Sequence, residues 1–190
     1  LRYACYYHIE QEKIKNIIDF MINQQLSDGG FNCRFNRSGA VHSSLHSTIS
    51  CLEGIFEYIN NGYTYRVDEL RKIKDDSQEF ILNHRLYKSD KTGEIIRKSF
   101  LMLSYPSRWR YDILRSLTYF MQARIPYDKR MEDALQVLLS KRRKDGTWPV
   151  QAKHSGQVHF DMEQTGASSR WNTLRALRVL EYYNKLNETV

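Results

Sequence analysis

The stretch RYDILRSL at residues 110–117 returns as RWNTLRAL at residues 170–177, with an aromatic second, Asp or Asn third, and Leu-Arg-small-Leu behind. A looser third copy, STISCLEGI at residues 47–55, joins them when Leu52, Leu114 and Leu174 are superposed. The copies recur at about sixty residues, the length of a two-helix unit rather than of one helix. A chain written this way is confined to stacked hairpins, because one amphipathic pair cannot bury its apolar faces without a neighbour.

The helices themselves follow from periodicity. Ile14, Ile17, Ile18, Met21 and Ile22 fall at three- and four-residue intervals, so a helix is predicted over 10–26, stopped by SDGG. The same pattern predicts helices over 47–60, closed by NNG, and over 66–85. Three more are predicted over 111–123, halted before Pro126, over 129–142, halted by KDG, and over 172–186. No segment alternates with a period of two, so the expected class is all-α.

The hairpin ends repeat as well. QLSDGGF places Gly29 and Phe31 after Gln25 as RRKDGTW places Gly146 and Trp148 after Arg142. Glycine there permits a left-handed helix end, and the aromatic can pack back against it. The opening LRYACYY matches LRSLTYF, which sets Leu1 against Leu114 in mid-helix; the reading expects further hairpins upstream in a longer parent chain.

Those residues carry a resemblance. Gln, three residues, Gly, one residue, aromatic is similar to the repeat of squalene and oxidosqualene cyclases, and DGGF with HSTISCLEGI resembles repeats of protein prenyltransferase beta subunits. With HRLYKSDKTGEII, YPSRWRYDILRSL and SRWNTLRALRVL, nearly the whole chain resembles the C-terminal part of bacterial prenyltransferase/squalene-oxidase-repeat proteins. The resemblance implies a partial α/α toroid, one domain over 1–190 of about three hairpins, inner and outer helices alternating around a cavity.

The resemblance also implies that inner-helix starts open onto that cavity. Ser50, Asp112 and Asn172 align at the repeat's polar position; all three are favoured cap residues, and Ser50 with Glu53 fits a capping box. The functional alternative takes Arg108, Trp109, Arg110, Arg170, Trp171, Asn172 and His42 as ligand-binding, cations for an anion and flat walls for an isoprenoid or sugar body. His46, Asp112 and Tyr111 are the candidates for proton chemistry, the imidazole because it titrates near neutrality. His42 and His46 would share a face if their helix began early.

Neither relative's catalytic set is complete. An aspartate-rich acid motif capable of protonating an alkene is missing, with only Asp161 and Glu163 near it in a loop. The prenyltransferase zinc histidine corresponds to Ser47, one position from His46, and no Asp and Cys pair accompanies it. A different cluster of His42, His46 and Cys33 is the remaining metal possibility, and the preferred assignment is no metal and no cofactor. The sequence therefore assigns no reaction. It leaves an isoprenoid-binding toroid, a carbohydrate-active toroid or a protein-binding scaffold.

Composition narrows the partners. The net charge of +7 favours anions, but the basic residues are interspersed with acids and no nucleic-acid motif spacing occurs. Cys5, Cys33 and Cys51 make an odd set without CxxC spacing, which predicts a reducing, cytoplasmic setting. No apolar run is long enough to span a bilayer. Three polar stretches, 32–46, 88–107 and 149–169, are expected at one mouth, with Glu94, Gln151, His154, His159, Asp161 and Glu163 as rim candidates.

Overall fold

A computed structural model describes residues 1–154 and 156–188. Among them are eight α-helices: α1 Arg2–Tyr6, α2 Gln11–Asn23, α3 Phe35–Ser38, α4 Leu45–Asn60, α5 Val67–Asn83, α6 Ile113–Gln122, α7 Glu132–Ser140 and α8 Arg170–Tyr182. The class is all-α, and none of these helices is long and apolar enough to cross a membrane. The chain divides into two compact units, Leu1–Ile81 and Leu82–Val190.

In the first unit, α2 buries Ile14, Ile18 and Met21, the stripe its spacing predicts. They meet Cys5 of α1, Ile55 and Tyr58 of α4, and Leu70 and Ile73 of α5 in one core. Phe31 closes that core from the turn after α2, and its amide donates to Thr48 Oγ1 at 3.0 Å. The turn is sharp enough that Gly29 takes φ +90°, and its carbonyl accepts the Ser77 hydroxyl of α5 at 2.7 Å.

The second unit repeats this construction. Trp148 is fully buried, its indole donating to Leu138 O at 2.7 Å, and its amide donates to Thr173 Oγ1 at 2.9 Å. Gly146 takes φ +80° in the turn before it. Trp148–Pro149 (β1) pairs antiparallel with Ser168–Ser169 (β2), a pairing too short to leave an alternating pattern in sequence. Helix α8 packs on α6 and buries Ala176, Val179 and Leu180, and α7, also against α6, buries Leu135, Leu138 and Leu139.

The predicted helix ends shift for local reasons. Helix α6 starts at Ile113 because Asp112 caps it, its carboxylate accepting the Arg115 amide at 2.8 Å. Helix α8 starts at Arg170 because Ser169 accepts the Asn172 amide at 2.9 Å, so Asn172 is inside the helix and not its cap. Ser50 is likewise interior to α4, its hydroxyl donating to His46 O at 3.0 Å, and Ser44 occupies the cap position. Residues 129–131 form a 3-10 turn before α7.

The register of the repeat also changes. Ser44 and Thr48 stand to α4 as Ser169 and Thr173 stand to α8, which places Leu52 opposite Leu177, one turn beyond Leu174. Leu174 is 51% exposed while Leu52 and Leu114 are fully buried, so the three superposed leucines do not share one environment.

Candidate functional site

The 88–107 and 149–169 stretches meet within the second unit. Leu103 O accepts the Gln151 amide at 2.7 Å, Ser104 bridges Ala152, and the ring of Tyr105 stacks on Trp171 with centroids 5.4 Å apart. Ser104 also reaches α6, its hydroxyl donating to Asp112 Oδ2 at 2.9 Å. One corner thus gathers the approach to α6, the start of α8 and the strand leading to His154.

Two cationic side chains stand at that corner. Arg110 guanidinium lies over the Trp109 ring, 5.0 Å from its centroid, and Arg110 O accepts from Arg115 Nη1 at 2.8 Å. The carbonyl contact pins the backbone, leaving the Arg110 side chain to point elsewhere. Its Nε is buried and has no hydrogen-bond partner among the described residues. Arg108, at φ +52°, runs against the other wall, where a Cβ on Gly156 would come 3.2 Å from Arg108 Nη1.

His154 completes the group. Its Nε2 is buried and also lacks a partner among the described residues. Burial first, then the positive field of Arg110, holds the imidazole below its ordinary value, with Asp112 pulling the other way and Arg108 adding to the depression. A buried donor or acceptor left unmade costs about 1–3 kcal/mol, and Arg110 and His154 each carry one.

The other expected site residues are placed as follows. Tyr111 is buried, its phenol donating to Leu86 O at 2.5 Å and pushed far up by burial. Asp112 is buried with both carboxylate oxygens engaged, by Ser104 and by the Arg115 amide. Asn172 is fully buried and ties β1 to α8 by donating to Pro149 O at 3.1 Å. Arg170 is exposed at the first position of α8, and Trp109 and Trp171 are 61% and 42% exposed. Glu163 accepts the Ser169 hydroxyl and, at 3.4 Å, the Trp171 amide, which fastens the loop to the start of α8.

His42 and His46 belong to the first unit. His42 is exposed and precedes the cap Ser44, so the two histidines do not share a helix face; its carbonyl accepts from Asn32 Nδ2 at 2.8 Å. Cys33 is exposed, its amide donating to Ser47 Oγ at 3.0 Å. Among the described residues no group of three or more His, Cys, Asp or Glu side chains converges to hold a metal ion.

Sequence reasoning gave His154 only as one rim residue of six and passed over Tyr105 and Gly156. His154 sits in QAKHSGQVHF, which has no period, and only the pairing of Gln151 with Leu103 brings it beside Arg110. The YPSRWRYD run was the usable signal, three aromatics and two arginines directly before a helix. No family model, no curated protein and no solved structure matches the chain.

Proposed function

We propose that this chain has the α/α-toroid fold of the squalene-cyclase and protein-prenyltransferase kind, and that its second unit binds an anionic ligand of isoprenoid type. The anionic head sits against Arg110, Arg108 and His154. The observation that carries this is a pair of buried nitrogens, Arg110 Nε and His154 Nε2, that have no partner among the described residues and lie at one corner with a second arginine. A diphosphate or carboxylate oxygen recovers the hydrogen bond that each lacks, and charge-assisted bonds are the stronger kind. The Trp109 face then borders the ligand's apolar body.

A second reading has its own support. Trp109 and Trp171 are exposed and Tyr105 stacks on Trp171, and exposed aromatic rings suit the ring of an acidic sugar better than a prenyl chain. Calorimetric titration of the full chain with farnesyl diphosphate, inorganic pyrophosphate and a uronic-acid oligosaccharide separates the two. Tighter binding of farnesyl diphosphate than of pyrophosphate, lost in Arg110→Ala, supports the isoprenoid reading. Binding of the oligosaccharide alone, lost in Trp171→Ala, supports the sugar reading. No binding by any of the three overturns both and leaves a protein-binding scaffold.

A further inference from the structure

The geometry points to proton-coupled binding at this corner: His154 takes up a proton as the anion enters, so that ligand and proton bind together. This rests on the anion reading above and adds the regulation of the same site.

The groups facing His154 come from two elements. Arg110 and Arg108 approach from the segment before α6, and Asp112 from the α6 cap. On its own loop, Lys153 is paired with Asp161 at 2.5 Å. Asp112 draws the imidazole toward its charged form, but burial and the Arg110 guanidinium outweigh it. With two guanidinium groups near and Nε2 buried without an acceptor among the described residues, His154 is held neutral in the unliganded chain. Two of these features reverse once an anion binds there. The anion offsets the arginine field and gives Nε2–H an acceptor, and a proton drawn from solvent leaves the imidazole with N–H on both nitrogens. By reciprocity, lowering the pH strengthens anion binding through the same coupling.

The test needs an anion that does not itself titrate. Trimetaphosphate stays fully ionised across the neutral range, so any proton taken up comes to the protein. The full chain is titrated between about pH 8 and about pH 6, where imidazole titrates, in buffers of different ionisation enthalpy. Wild type is expected to tighten by up to about tenfold per pH unit and to take up close to one proton per anion. His154→Gln is expected to bind with a flat pH profile and no proton uptake, and Arg110→Gln to lose binding throughout. Circular dichroism of each variant checks that its helices remain.

Wild-type binding that is flat in pH overturns the coupling while leaving the anion site standing. A pH slope that survives in His154→Gln overturns the assignment to this histidine. Absence of any trimetaphosphate binding overturns the coupling together with the anion site.

Discussion

Thr173 Oγ1 accepts the backbone amide of Trp148 at 2.9 Å across twenty-five residues of chain, as Thr48 Oγ1 accepts that of Phe31 at 3.0 Å across seventeen. In each case a hydroxyl in the first turns of a long helix holds the aromatic that ends the preceding hairpin turn. The STISCLEGI and RWNTLRAL copies of the sequence repeat are each anchored physically by this bond.

The Thr48 bond is buried, which makes its removal measurable. Thr48→Val keeps the shape of the side chain but strands the Phe31 amide without an acceptor, at a cost of about 1–3 kcal/mol. Thr48→Ser keeps the oxygen and should lose less. Urea denaturation followed by circular dichroism distinguishes them; equal midpoints for Val and wild type would refute the anchoring role.

Asp112 is engaged twice, as the α6 cap and as the acceptor for Ser104. Asp112→Ala should therefore destabilise the chain by at least the about 0.5–2 kcal/mol typical of a lost cap. Ser104→Ala should cost less, because the Arg115 amide keeps its acceptor. Thermal melts of the two variants read the difference directly.

Gly156 lies against Arg108 at φ +123°, where a side chain is both strained and in contact. Gly156→Ala should push Arg108 from its place and weaken trimetaphosphate binding severalfold. Gly156 lies outside every helix, so the far-ultraviolet spectrum should be unchanged. Binding equal to wild type in the same titration would separate Arg108 from the site.

Acid should weaken the second unit through paired carboxylates. The Lys88 ammonium, donating at 2.5 Å, holds Asp133 below its ordinary value of 3.8, against the opposing effect of burial, and Arg130 does the same for Asp128. A carboxyl depressed on folding contributes stability above its unfolded value, which is lost as pH falls through the folded one. Stability should thus be flat near neutrality and decline below about pH 4, and Lys88→Met should make that decline shallower. A pH profile of urea midpoints tests both statements.

The three cysteines should differ sharply toward alkylating reagents. Burial pushes Cys51 up to about 12 and Cys5 up to about 11, so neither forms much thiolate in the native chain. Cys33 is exposed and should react first. Mass spectrometry after brief iodoacetamide treatment at mildly alkaline pH should find the label on Cys33, with Cys5 and Cys51 labelled only after denaturation.

The six principal helices were legible because each carries a 3.6-residue stripe that ends at Gly, Asn or Pro, as Ile14, Ile18 and Met21 show in α2. Register was harder to read. Superposing Leu52 on Leu174 follows residue identity, but what is equivalent in space is the pair of serine caps and the pair of threonine anchors, one turn away. Leu174 looks like a core leucine by type and is half exposed by position. The β1–β2 pair left no trace because it is made by contacts distant in sequence, and the 3-10 turn at 129–131 is too short to carry a period of its own. The cationic corner was half legible because part of it, too, is assembled by contacts distant in sequence. Arg108, Trp109 and Arg110 are adjacent letters, whereas His154 and Gly156 reach them only after the Leu103–Gln151 pairing forms.

The threonine anchors have a consequence for how such a chain can vary. Both fix the two ends of a connecting segment at the same place on the helix, although one segment is plainly longer than the other. Insertions between the clamps leave helix phasing untouched. The polar connector is therefore an exchangeable cassette, and His154 with Gly156 rides in one.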